Sequence, residues 1–168
     1  MKKAFFITMS LFILFALVLG ARSVMFPVCY LDTFLQYSQE FGVSTELCIA
    51  VAKCESDFDT DAVSDAGAIG VMQLLPSTAE FIADKIGYKY EVNLFDYKVN
   101  IMLGCAYLSY LSSKFNTEKQ VVMAYNAGEG RVREWLVNDE SLQDLPYSET
   151  KIYYSKVNYA KFVYKNML

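Results

Sequence analysis

The chain has 168 residues, enough for one domain with a real core and too few to make two the expectation. It carries a net charge of −4, and that acidity argues against a phosphate-binding surface and against nucleic acid as a partner. It has no histidine, which removes Ser-His-Asp and Cys-His nucleophilic machinery in their usual forms and the HExxH zinc site, and leaves chemistry to carboxylates, tyrosines, amides and backbone groups.

The chain opens with Lys2 and Lys3 before an apolar run from Ala4 to Gly20, with Arg22 beyond it. Residues 1–28 read as an uncleaved signal anchor, with the lysines inside and the rest of the chain outside; a cleaved signal and secretion is the alternative. Four cysteines, Cys29, Cys48, Cys54 and Cys105, therefore sit where disulfides can form. Their spacing selects no pairing, and Cys48 falls on a face expected to be buried as a reduced thiol.

Residues Tyr30 to Phe41 form a packing helix through Leu31, Phe34 and Leu35, ended by Gly42. Ser44 or Thr45 then caps a second helix on which Cys48, Val51, Ala52 and Glu55 fall at i, i+3, i+4 and i+7. A lone glutamate at a helix end ordinarily points into water. At the foot of an apolar stripe it loses hydration instead, and its pKa rises toward the range of a neutral-pH proton donor.

The loop from Ser56 to Gly70 places Asp57, Asp59, Asp61 and Asp65 at the first, third, fifth and ninth positions of a calcium loop. Ala62 stands where that loop needs its sharp-turn glycine and Ala68 where it needs a bidentate glutamate, so the loop reads as solvated and metal-free. Gly67 and Gly70 bracket a turn into Val71, Met72 and Gln73, an amide inside an apolar run. Pro76, with Ser77 and Glu80 spaced as a capping box, opens a helix ending near Gly87.

Asp96 caps a longer helix through Phe115 whose stripe includes Val99, Leu103, Ala106, Tyr107 and Tyr110. Thr117 and Gln120 make another capping box, leading through Val121, Val122 and Ala124 to Tyr125 and Asn126. A tight turn over Ala127 to Gly130 precedes a helix with Val132, Trp135 and Leu136, which Leu145 and Pro146 interrupt. A last helix, Ser148 to Asn166, carries Ile152, Tyr153, Val157, Ala160 and Tyr164. The sum is a single all-α domain of about seven short helices over residues 29–168, with no strand, repeat or low-complexity linker.

Four motifs stand in one order: Glu55–Ser56, GVMQ at Gly70–Gln73, AYNAG at Ala124–Gly128 and LPYSET at Leu145–Thr150. Together they resemble the SLT-type lytic transglycosylases, helical members of the α+β lysozyme-like superfamily that cleave bacterial peptidoglycan. NIMLGCAYL, Asn100 to Leu108, resembles that family's long central helix, and FPVCY before the first helix resembles its small membrane-anchored members. Val71 stands where the family commonly has leucine, and Cys54 where it has an aliphatic or small residue.

The resemblance implies that Glu55 is the catalytic acid and later base, with Ser56 hydrogen-bonding beside it. It implies that Gly70, Met72 and Gln73 line the saccharide cleft, that Tyr125 and Asn126 bracket the reacting sugar, and that Tyr147, Glu149 and Thr150 form the far wall. For Tyr153 a place in the site and a place in the core are equally open. The implied substrate is the peptidoglycan glycan strand, the implied partner besides it the membrane through the N-terminal helix, the implied state a monomer, and no cofactor is called for.

Ordinary glycosidases need two carboxyls, and the motifs offer no clear second one beside Glu55; Asp57 to Asp65 are candidates only if their loop folds back over the cleft. The resemblance implies a substrate-assisted route: the sugar's 2-acetamido oxygen attacks its own anomeric carbon, and the C6 hydroxyl then closes a 1,6-anhydro product. Two rival readings are a lysozyme-like hydrolase in which a loop aspartate activates water, and a catalytically idle murein-binding module.

Overall fold

The computed structural model describes residues 24–137 and 148–168, together with Met9, Phe12 and Gly20. Among them lie seven helices: α1 (Leu31–Phe41), α2 (Thr45–Glu55), α3 (Pro76–Ile86), α4 (Tyr97–Ser112), α5 (Glu118–Ala127), α6 (Glu129–Val137) and α7 (Ser148–Lys165). No strand occurs among the described residues, and the isolated bridges Val63 to Ile69 and Ile69 to Leu74 take the place of a sheet in the loop after α2. Nor is any helix among them long and apolar enough to cross a membrane; the run from Ala4 to Gly20 falls almost entirely outside the described residues.

The helix ends follow from local chemistry. The Ser44 hydroxyl accepts a hydrogen bond from the Leu47 amide at 3.1 Å and starts α2, and Asp96 accepts from Lys98 at 2.8 Å and starts α4. Thr117 and Gln120 complete their capping box at α5. The box expected at Ser77 and Glu80 does not form. Pro76 already occupies the first helical position, so Leu75 is the cap and Ser77 lies inside the helix. Two boundaries also shift: α4 ends at Ser112 rather than Phe115, and the turn expected through Gly130 is cut short because α6 begins at Glu129.

Sequence periodicity predicts one apolar stripe on α2, whereas every residue from Leu47 to Ala52 is buried. The reason is its place. α2 packs against α7 most extensively and touches α1 and α4 as well, so it runs through the middle of the domain. The chain ahead of α1 is tied to the same layer, since the Phe26 ring meets Tyr159 and Tyr164 edge-on and the Tyr164 hydroxyl donates to the Pro27 carbonyl at 2.9 Å. Cys48 and Cys105 adjoin in the core, and all four cysteines are free thiols.

One buried polar side chain fixes the loop that leads to α3. Asn100 on α4 is fully buried, donates to the carbonyls of Ile69 (2.8 Å) and Leu94 (2.9 Å), and accepts from the Met72 amide at 2.7 Å. Gly70 leaves room for it: φ is +77°, and a Cβ there would lie 2.5 Å from the Asn100 amide nitrogen and 2.4 Å from the Leu94 oxygen. Asn100→Ala would orphan three backbone groups, at a cost of about 3–5 kcal/mol from buried unsatisfied donors and acceptors. Urea denaturation should therefore show a large drop in midpoint with an unchanged slope, and a drop below about 1 kcal/mol would mean the loop is held by something else.

Candidate active site

Glu55 closes α2, and its environment is set by a residue 98 positions away. The Tyr153 hydroxyl on α7 donates to Glu55 Oε1 at 2.5 Å. Burial raises the Glu55 pKa from the ordinary 4.5 to about 7, and the tyrosine's hydrogen bond pulls the other way. No second carboxylate among the described residues contributes to that shift. Such a carboxyl can give up a proton and take it back near neutral pH. The neighbouring Cys54 thiol is pushed up to about 11, mainly by burial and then by Glu55, and stays protonated.

The question left open for Tyr153 is thus resolved in favour of both places. Its ring packs half-buried against the core, and its hydroxyl reaches the candidate acid. No spacing rule could have found this contact, because α2 and α7 meet only in the folded chain.

The other motif residues converge on the same region, but several spend their polar groups on the backbone. Ser56 Oγ donates to the Val71 carbonyl at 2.8 Å and ties the end of α2 to the loop. Gln73 holds a left-handed backbone at φ +47°, a conformation costing about 1–2 kcal/mol in a non-glycine residue. Its amide nitrogen donates to the carbonyls of Ala62 and Gly70, both at 3.0 Å. Two carbonyl partners require the nitrogen on that side, so Oε1 is the group left to a ligand.

Tyr125 is buried and donates to the Met72 carbonyl at 2.8 Å, its ring lying 5.2 Å from Tyr107. Gly70 and Met72, expected to line the cleft, are both buried. The Met72 side chain packs over Gly104, where a Cβ would come within 2.2 Å of its sulfur. Their contribution is to place the backbone between Ser56, Tyr125 and Asn100.

Asn126 is exposed and accepts from the Thr150 hydroxyl at 3.2 Å, with Thr150 buried beneath. Glu149 is exposed in the first turn of α7. Tyr147, with Leu145 and Pro146, lies outside the described residues. Asn100 is the supporting residue that sequence reasoning missed; its signal was a lone amide in an otherwise apolar stretch of α4.

The loop aspartates do not gather round Glu55 or a metal. Asp57 pairs with Lys53 one turn back, and Asp59 accepts from the Asp61 amide at 2.9 Å. Among the described residues no group of three or more cysteines and carboxylates is placed to hold a metal ion.

The arrangement is one shielded carboxyl held by Tyr153 and one exposed amide held by Thr150, both partners on α7, on a helical scaffold whose polar groups brace the backbone. Residues 32–147 match the transglycosylase SLT domain, and the chain belongs to that family. It is 36% identical over 153 residues to a putative soluble lytic murein transglycosylase of Haemophilus influenzae, covering 85% of this chain and 26% of that one. It is 35% identical over 123 residues to a membrane-bound lytic murein transglycosylase C of Edwardsiella ictaluri, covering 66% and 34%. Its fold matches an inactive glutamate-to-glutamine mutant of the lytic transglycosylase Slt of Pseudomonas aeruginosa with a TM-score of 0.81 and 34% identity, over 86% of this chain and 25% of that one. The chain therefore spans about a quarter of the length of the soluble relatives it matches.

Two measurements follow from the Glu55 environment. The folded chain holds that proton more tightly than the unfolded chain, so stability falls as pH rises from about 4.5 to about 7. Glu55→Gln keeps the shape and removes the titration; its Tm should match the parent near pH 4 and exceed it by roughly 5 °C at pH 8, and equal shifts at both pH values would contradict the burial. Tyr153→Phe removes the bond that favours the carboxylate, so an NMR titration of Glu55 should move to a higher midpoint; a lower one would contradict the assigned direction.

Proposed function

We propose that this protein is a lytic transglycosylase that cleaves the β-1,4 bond between N-acetylmuramic acid and N-acetylglucosamine in peptidoglycan and leaves 1,6-anhydromuramic ends. One observation carries the reading: the Glu55 carboxyl is shielded, has a pKa of about 7, and is perturbed by no second carboxylate among the described residues. A site with one such group suits a reaction that takes its nucleophile from the substrate. The relatives named lytic murein transglycosylases support the substrate class.

In this reaction Glu55 gives its proton to the glycosidic oxygen as the bond from the anomeric carbon to that oxygen breaks, and the acetamido oxygen of the same sugar bonds to the anomeric carbon. Glu55, now a carboxylate, takes the proton from the C6 hydroxyl. The C6 oxygen then displaces the acetamido oxygen, and Glu55 ends protonated as it began. Tyr153 holds the carboxyl in place through both transfers. The exposed Asn126 amide and Gln73 Oε1 are the polar groups offered to the sugar, while Ser56, Tyr125 and the buried Gly70 and Met72 brace the backbone beneath it. Glu149 and Thr150 stand at the far wall of the cleft.

Residues 29–168 form the catalytic domain of this monomer, and residues 1–28 hold it at the outer face of the cell membrane. The apolar run after Lys2 and Lys3 supports that placement, and so do relatives named membrane-bound. The test is mass spectrometry of products released from purified murein sacculi. The parent chain should release muropeptides ending in 1,6-anhydromuramic acid, and Glu55→Gln should lower release at least about a thousandfold while keeping its fold. Reducing ends would make the enzyme a hydrolase, and unchanged release by the variant would remove Glu55 from the role given to it.

A further inference from the structure

α7 has two apolar faces, and only one of them is spent on the core. Inward, the helix buries Val157, Ala160 and Tyr164 and sets Tyr153 on Glu55. Outward, Ile152, Tyr159 and Phe162 fall at i, i+7 and i+10 and share one strip with Ser155 and Asn166. Tyr159 and Phe162 are 61% and 66% exposed, and Ile152 is exposed as well. A helix that is apolar on both sides has a second surface to cover.

The same helix gathers cations. α7 holds four lysines against one glutamate, in a chain whose net charge is −4. Lys161 is turned to α5, where it pairs with Glu118. Lys156 lies four residues after Ile152 and three before Tyr159, Lys165 lies three after Phe162, and both are exposed. The apolar strip is therefore edged by ammonium groups on long, flexible stems.

The chain that leads back to the proposed anchor departs from this strip. Val24 and Met25 are exposed, and Phe26 after them meets Tyr159 edge-on with ring centroids 5.8 Å apart. The Tyr164 hydroxyl donates to the Pro27 carbonyl at 2.9 Å and fixes the point of departure. From Val24 to Gly20, where the N-terminal apolar run ends, there are only four residue steps, at most roughly 14 Å of extended chain. A run that enters a bilayer at Gly20 thus holds Val24, and the face of α7 beside it, within reach of the lipid headgroups.

We infer that the outward face of α7, with Val24, Met25 and Phe26, docks on the surface of an anionic phospholipid bilayer. Ile152, Tyr159 and Phe162 enter the boundary between headgroups and acyl chains, while Lys156 and Lys165 meet lipid phosphates. A second copy of the chain packed across a two-fold axis would cover the rings but set lysines against lysines. The inference rests on the proposed placement at the cell membrane and adds an orientation to it. Tyr153 and Glu55 lie across α7 from the docked strip, so the candidate site is turned away from the lipid.

The test uses the full chain in vesicles, with Phe162→Trp as the reporter. In vesicles of phosphatidylglycerol and phosphatidylcholine with brominated acyl chains, the introduced indole should shift its emission to shorter wavelength and lose at least about half of it. The parent, whose Trp135 is buried in the domain, should be unquenched. Adding Lys156→Gln and Lys165→Gln, raising salt, or omitting phosphatidylglycerol should each restore at least about half of the lost emission. No quenching, or quenching indifferent to all three changes, overturns the inference, and a dimer in detergent with an unquenched indole would give the face to a second copy. Washing with alkaline carbonate separates docking from anchoring. A chain that resists washing but is never quenched keeps its anchor and loses the docking face; one that is quenched and then washed away keeps the face and loses the anchor.

Discussion

Keeping one carboxyl out of water at the end of a helix is the constraint on which the rest of this molecule depends. A glutamate in the last turn of α2 would by default extend into solvent. It does not, because α7 lies along α2 and brings Tyr153 onto its oxygen. The end of α2 is therefore coupled to α7 through this hydrogen bond as well as through packing, and α7 serves the candidate site as much as the core. That explains why α2 is buried all round: a helix covered only on one face could not shelter a group at its tip.

Around that carboxyl there is a division of labour. Ser56, Gln73, Tyr125 and Asn100 all have chemistry to offer, yet each directs its hydrogen bonds into backbone groups of the segment from Ala62 to Leu94. Ahead of α3, the stretch from Ala62 to Leu75 has only two isolated bridges to hold it, so side chains do what a sheet would otherwise do. The strained backbone of Gln73 persists because its amide closes two of those bonds. A polar residue in a site motif is thus as often a brace for the loop as a group facing the ligand. Asn126 and the free oxygen of Gln73 are the two that remain outward.

Much of this was legible in the sequence wherever the cause is local. The caps at Ser44, Asp96 and Thr117, the stop at Gly42, the burial of Cys48, Val51 and Ala52, and the raised pKa of Glu55 all follow from spacing and residue type. The Ser77 box failed because a proline one position earlier had already settled the start of α3. What stayed hidden depends on contacts between distant segments. Tyr153 could not be assigned because its partner is on another helix, and the inward turn of Tyr125 and Gln73 could not be read because their partners are carbonyls, which every residue carries alike. Met72 was expected at a surface and is buried, since nothing in GVMQ reveals that Gly104 leaves a hollow for it.

The two influences on Glu55 are opposed, and their balance matters more than either. Burial alone would push the carboxyl so high that it held its proton too firmly to release it to a weakly basic oxygen. A donor as strong as an ion pair would pull it down into the ordinary carboxylate range, where it would be ionised and useless as an acid at neutral pH. A neutral phenol donates one bond and brings no charge, so it offsets part of the burial while leaving the pKa near 7. Proton transfer in both directions is fastest when the group's pKa lies close to the working pH. A group that must first donate and then accept in the proposed reaction needs that midpoint, and a tyrosine meets the need where an arginine or lysine in the same place would not.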